Sequence, residues 1–235
     1  MFKKLLIASM MIGTFCTAVF ADTQFKVRIE NVSTPDLLKS STGATAPAGL
    51  SPGLCILTSS ATNPAFVVGH PDHGMGLEAQ AEDGNPADLA KNLAKVKGVM
   101  SVQVFNTPAG ADKPGPIGPN GAYEFTFTAK PGTYFTYTQM FGQSNDLFYS
   151  PEKPIALFDK NGKPIDGELT AQVKLWDAGT EVNEEPGFGP NQAPRQAAPN
   201  TGKSEKEAVR AIEDVKDGFT YPQTAQVFKI TITHQ

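Results

Sequence analysis

Four carboxylates sit where this chain's strands should start or stop, and that placement gives them chemistry to do: Glu124, Asp146, Asp177 and Glu181. Two of them fall in Trp176-Asp177-Ala178-Gly179-Thr180-Glu181-Val182-Asn183-Glu184-Glu185. The preceding residues, 169–175, alternate apolar side chains with Thr170, Gln172 and Lys174, the period-two pattern of a half-buried strand. An acid at the end of such a strand cannot enter the core alone, because an unpaired buried carboxylate is too costly. It is either a solvated loop charge or an oxygen ligand for a hard cation. Ca²⁺ fits the second reading, since it takes about 6–8 oxygens from carboxylates, carbonyls and water. Zinc would call for nitrogen or sulfur donors. Gly179 allows a tight turn that brings a carbonyl or the Glu181 carboxylate to face the same ion.

The elements that must position these acids can be read in order. Residues 24–32, 53–58 and 99–105 read as strands, and 65–68 as a further short one. Asn85-Pro86-Ala87-Asp88 has the cap, first-turn proline and early acid of a helix start, with Leu89, Leu93 and Val96 as its apolar stripe and Gly98 as its stop. Residues 106–121, with four prolines and four glycines, form a loop. Residues 123–129 and 133–141 flank Lys130-Pro131-Gly132 and read as a hairpin. Residues 147–149 and 155–158, with Pro151 and Pro154 between them, read as a broken edge strand. Residues 177–203 form a long loop. Ser204 and Glu207 form a capping box that opens a helix over 204–217, and 225–233 closes the chain as a strand.

Strand direction then gives a prediction. The hairpin at 130–132 places Glu124 beside the end of the next strand, which leads into Asp146, and the strand over 169–175 returns to deliver Asp177. Glu124, Asp146 and Asp177 are therefore expected at one rim, and Asp159 at the other. The fold class is an all-β antiparallel sandwich of about eight strands, with two short helices and long loops.

Composition bounds what the chain can do. Residues 1–21 read as an export signal: Lys3 and Lys4, an apolar run over 5–20, and the cleavage-type sequence Val19-Phe20-Ala21. Without those two lysines, residues 22–235 carry 18 basic against 24 acidic side chains, a net of −6, with no basic patch for nucleic acid. No second run is long enough to span a membrane, so the expected location is periplasmic or secreted. Cys16 lies in the signal, behind Phe15 where lipidation wants a small residue, and Cys55 alone remains, in an apolar strand, as a core residue.

Other candidates are thinner. His70, Asp72 and His73 are a sparse set for a transition metal and read as a surface loop. Glu82-Asp83-Gly84 reads as a turn ahead of the helix, Trp176 as core, and Arg195 as a structural ion-pair partner within the long loop. There is no Gly-x-Ser-x-Gly elbow, phosphate-binding loop or His-Glu-x-x-His motif.

The stretch from Ser144-Asn145-Asp146 to Asp177-Ala178-Gly179-Thr180-Glu181 resembles the spondin N-terminal domain, the F-spondin and mindin family. So do Leu50-Ser51-Pro52-Gly53, Gly76-Leu77-Glu78, Ala81-Glu82-Asp83-Gly84 and Phe219-Thr220-Tyr221-Pro222. The loop over 187–196 is similar to the bacterial branch of that family. The resemblance implies a β-sandwich similar to calcium- and lipid-binding sandwich domains, with one Ca²⁺ at a rim. Its ligands would match Asp146, Asp177, Glu181 and, on the hairpin, Glu124. Leu147 departs from the tryptophan common there, and the disulfides and thrombospondin repeats of animal members are missing. Matrix binding is therefore not carried over. The reading is an exported, non-enzymatic binding or adhesion module whose Ca²⁺ orders loops for an extracellular or envelope protein or glycan. The alternatives are a secreted metal-assisted hydrolase and a metal-free structural envelope protein.

Overall fold

The structure, a computed structural model, describes residues 22–72 and 74–235, so residues 1–21, where an export signal is expected, and His73 lie outside it. Its elements in chain order are β1 (Thr23–Asn31), β2 (Leu38–Lys39), β3 (Thr45–Ala46), β4 (Leu50–Thr58), α1 (Leu77–Asp83), α2 (Ala87–Leu93), β5 (Val99–Phe105) and β6 (Ala122–Ala129). There follow β7 (Tyr134–Phe141), β8 (Leu147–Pro151), β9 (Ile155–Ala156), β10 (Gly167–Glu168), a 3-10 turn at Thr170–Gln172, β11 (Val173–Asp177) and β12 (Arg210–Ala211). A second 3-10 turn (Ile212–Asp214), α3 (Thr224–Val227) and β13 (Phe228–His234) complete the chain. Eight strands are five residues or longer and the other five are two-residue pairings, which matches the expected antiparallel β-sandwich.

One large sheet has the order β10-β13-β1-β6 and the other β12-β11-β8-β7-β4-β5, with β9 also on β7, while β2 and β3 form a separate two-stranded pair. In the first sheet, Phe25, Val27, Ile29, Tyr123, Phe125, Phe228, Ile230 and Ile232 point inward. Their neighbours Lys26, Arg28, Glu124 and Lys229 point to solvent, so this sheet has one wet face. The larger sheet is covered on both faces. Cys55, Leu57, Tyr149, Val173 and Leu175 meet the first sheet. Leu54, Ile56, Phe148 and Trp176 meet Leu77, Ala81, Leu89 and Leu93 of α1 and α2. That double coverage explains the unbroken apolar run Leu54-Cys55-Ile56-Leu57. It also makes Cys55 a core side chain, and burial pushes its thiol well above the ordinary range. Trp176 is core too, with its indole N–H donating to the Ser150 carbonyl at 2.9 Å.

Five parts of the sequence reading differ from the structure. β6 and β7 are not a hairpin: β6 pairs only with β1, while β7 pairs with β4, β8 and β9. The turn at 130–132 carries the chain from one sheet to the other. β8 is an interior strand between β7 and β11, and Pro151, at its end, spares the ladder. The expected helix over 204–217 does not form. Instead the N–H groups of Glu205 and Glu207 bond Thr180 and Gly179 carbonyls, at 2.8 and 2.9 Å. A pairing with residues 179–182 satisfies the backbone that the helix was to satisfy. Residues 65–68 are likewise not a strand, though Ala65 and Phe66 are buried against Phe148 and Trp176. The Glu82-Asp83-Gly84 stretch, expected as a turn, is the end of α1, with Gly84 in the left-handed cap position at φ 65°. No helix among the described residues is long and apolar enough to cross a membrane.

Candidate metal centre

The register of the larger sheet brings Asp146 and Asp177 together. β8 and β11 run antiparallel with Asp177 opposite Leu147, so the residue that starts one strand adjoins the residue that ends the other. The turn before β8 is fixed by Ser144, whose hydroxyl donates to the Phe141 carbonyl at 2.6 Å and accepts the Leu147 N–H at 3.1 Å. β12 then lies on the far side of β11 with Arg210 opposite Asp177. The pairing of 179–182 with 203–207 delivers the third acid, Glu205. Asp146, Asp177 and Glu205 each place one carboxylate oxygen within 4.8 Å of the others.

Two of the three are fully buried, at 0 % exposure for both Asp146 and Asp177. Asp146 Oδ2 accepts the Thr180 and Glu181 N–H groups at 2.7 and 3.1 Å and faces the Thr180 hydroxyl at 3.3 Å. Asp177 Oδ1 accepts the Gly179 N–H at 2.7 Å, and Oδ2 accepts the Asn183 amide at 2.9 Å. Arg210 Nη2 reaches Asp177 Oδ2 at 3.2 Å and Glu205 Oε1 at 3.0 Å. The remaining oxygen, Asp146 Oδ1, is buried and has no hydrogen-bond partner among the described residues. Burial, with the Asp177 charge beside it, pushes the Asp146 carboxyl up to about 7, against the pull of the two N–H groups. Burial and the Asp177 charge also raise Glu205.

Glycine is required here by contact. A Cβ on Gly179 (φ +72°) would stand 2.6 Å from the Glu207 carbonyl oxygen. The first strand of the pairing could not approach the second with any larger residue at 179.

Of the residues expected at the site, Asp146 and Asp177 meet. Glu181 is their buried neighbour, held by Asn145 Nδ2 at 3.3 Å and the Gly202 N–H at 2.8 Å. Its N–H, not its carboxylate, serves Asp146. Glu124 is not brought in. It stands on the wet face of the other sheet, its carboxylate held by Lys26 Nζ at 2.8 Å and Arg28 Nη1 at 2.9 Å. The hairpin reading had carried it to the rim, and the inter-sheet turn removes it. Arg195 bonds the Gly189 carbonyl at 2.8 Å, Gln143 Oε1 at 3.1 Å and Gln192 Oε1, so it ties its loop to the turn before β8, and among the described residues it pairs with none of the rim acids. Glu205 was missed because the pattern around it reads as a helix. No local signal marks it, since its partner strand is 25 residues upstream.

A scan against protein-family models returns no match for the chain, and a search of curated proteins finds none that matches it.

The donor set is all oxygen, which suits a hard cation. With all three acids ionised, Arg210 answers one of three negative charges and leaves a formal −2 in a buried place. None of Arg210's ion pairs goes to Asp146.

Proposed function

We propose that the protein is an exported, non-enzymatic binding module in which one Ca²⁺ is held by Asp146, Asp177 and Glu205. The ion would fasten the turn at 144–146, the end of β11 and the strand over 203–207 to one another, and so order the long loop between them. The resemblance to the spondin N-terminal domain points the same way, and its implied ligands Asp146 and Asp177 are kept. Glu205 takes the place expected for Glu124, and Glu181 supports from behind. The observation that carries the reading is Asp146 Oδ1, a buried carboxylate oxygen with nothing to bond. The expected partner is an extracellular or envelope protein or glycan. Both Asp146 and Asp177 are immobilised by backbone N–H groups, which suits holding an ion better than moving a proton.

A second reading rests on Arg210. Its guanidinium already pairs two of the three acids, and the cluster would then be a metal-free structural network. Thermal melts separate the two. Calcium added to the chelator-treated protein raises Tm by mass action, by an amount equal to about 2.7 kcal/mol at a hundredfold excess over Kd. Asp146→Asn abolishes that rise. Identical melts with calcium and with chelator would leave only the Arg210 network.

A further inference from the structure

A second acidic region lies beside the metal centre, on the helical side of the larger sheet. Asp72, Glu78, Glu82, Asp83 and Asp88 line a cleft of about 320 Å³ formed by α1, α2 and the segment before them. Among the described residues no Lys or Arg lines it, and none of the five acids has an ion-pair partner. The Lys95 ammonium comes as near as the side-chain oxygen of Asn92, at 3.4 Å. Three of the acids have single weak or amide contacts. Asp72 Oδ2 accepts the Glu78 N–H at 3.4 Å, Glu78 Oε1 accepts Asn200 Nδ2 at 3.4 Å, and Asp83 Oδ1 accepts Gln196 Nε2 at 2.8 Å.

Glu82 is the exception. It is only 2 % exposed, yet among the described residues neither carboxylate oxygen has a hydrogen-bond partner. A buried carboxylate left unbonded costs several times more than a solvated one, so a ligand that supplied two N–H donors there would recover that cost. The ligand's chemistry follows from size and spacing. A bare Ca²⁺ needs oxygens about 2.3–2.6 Å from one point. Among the described residues, the acids grouped closely enough for that are Asp146, Asp177 and Glu205, and none of these lines the cleft. An organic cation on a flexible stem has no such restriction. Two adjacent bare oxygens match the parallel N–H fork of a guanidinium better than the point charge of an ammonium. One guanidinium cannot cover five carboxylates, so the occupant carries several.

We propose that this cleft binds an arginine-bearing peptide segment of a partner protein, with one guanidinium seated on Glu82 and others along Glu78, Asp83 and Asp88. Titration calorimetry of the calcium-loaded full chain with tetra-arginine, tetra-lysine and free arginine tests it. Tetra-arginine binds more tightly than tetra-lysine, and free arginine binds weakest. Glu82→Gln weakens tetra-arginine by about tenfold or more, the usual loss when a desolvated charge pair is broken. Asp88→Asn, at the exposed lip, weakens it about twofold to fivefold, as a rim charge does. Asp159→Asn, in a distant turn, changes nothing. Equal binding by the Glu82→Gln variant, or equal affinity for both tetrapeptides in every variant, overturns the proposal. A melt of Glu82→Gln that still rises with calcium shows that the fold and the metal centre are intact. Failure here is therefore separate from failure of the calcium reading.

Discussion

Glu124 and Asp146 are both carboxylates near strand ends, and they meet opposite fates. Glu124 has a side chain 32 % exposed and two cationic neighbours one strand away, on Lys26 and Arg28. Hydrogen bonds from Lys26 and then Arg28 hold its carboxyl below the usual range. Asp146 is sealed at the start of β8, beside a second acid, and burial with the Asp177 charge raises its carboxyl to about 7. The same chemical group is thus satisfied on the wet face of one sheet and left wanting at the buried edge of the other. What separates them is strand pairing, which gives Glu124 its partners in β1 and gives Asp146 the company of Asp177.

The largest effect is expected at Asp177. Asp177→Ala removes the buried partner of Arg210, Gly179 and Asn183 together. Breaking a buried pair this way costs about 3–5 kcal/mol, and the loss should appear in urea denaturation as a lower midpoint with unchanged slope. A pH series of melts in chelator comes next. Asp146 releases its proton near its ordinary 3.8 when unfolded but near about 7 when folded. Glu82, raised chiefly by burial, does so near about 8 instead of 4.5. Between those limits the folded state binds more protons than the unfolded one, so stability falls as pH rises from about 4 to 8. Asp146→Asn shallows the slope below pH 7, and calcium opposes it. A flat or rising profile would contradict the strained-acid account. The weakest effect belongs to Glu124→Gln. It removes two surface ion pairs, costs no more than about 1 kcal/mol and leaves the calcium response as in the parent protein.

The sandwich was legible in the chain because alternation marks its strands directly: Phe25-Val27-Ile29 and Phe228-Ile230-Ile232 point inward as the period requires. Asp146 and Asp177 were legible because each flanks such a strand. Two misreadings displaced the third acid. Lys130-Pro131-Gly132 is a tight turn whether its flanking strands pair or enter different sheets, and the alternation of β6 and β7 is the same in either case. Val209, Ile212 and Val215 have helical spacing after a cap-like Ser204. Yet the Glu205 and Glu207 N–H groups find carbonyls at Thr180 and Gly179, which no local rule supplies. Both errors concern long-range backbone pairing. Glu205 for Glu124 was their joint result.

The proposed Ca²⁺ site turns on Asp146. Calcium titration by calorimetry near pH 7, repeated in buffers of different ionisation enthalpy, tests it most directly, because an ion entering this site must displace protons held by Asp146. One equivalent of Ca²⁺ should bind with measurable proton release, and Asp146→Asn should lose both signals. No binding heat, or binding undiminished in Asp146→Asn, would contradict the account.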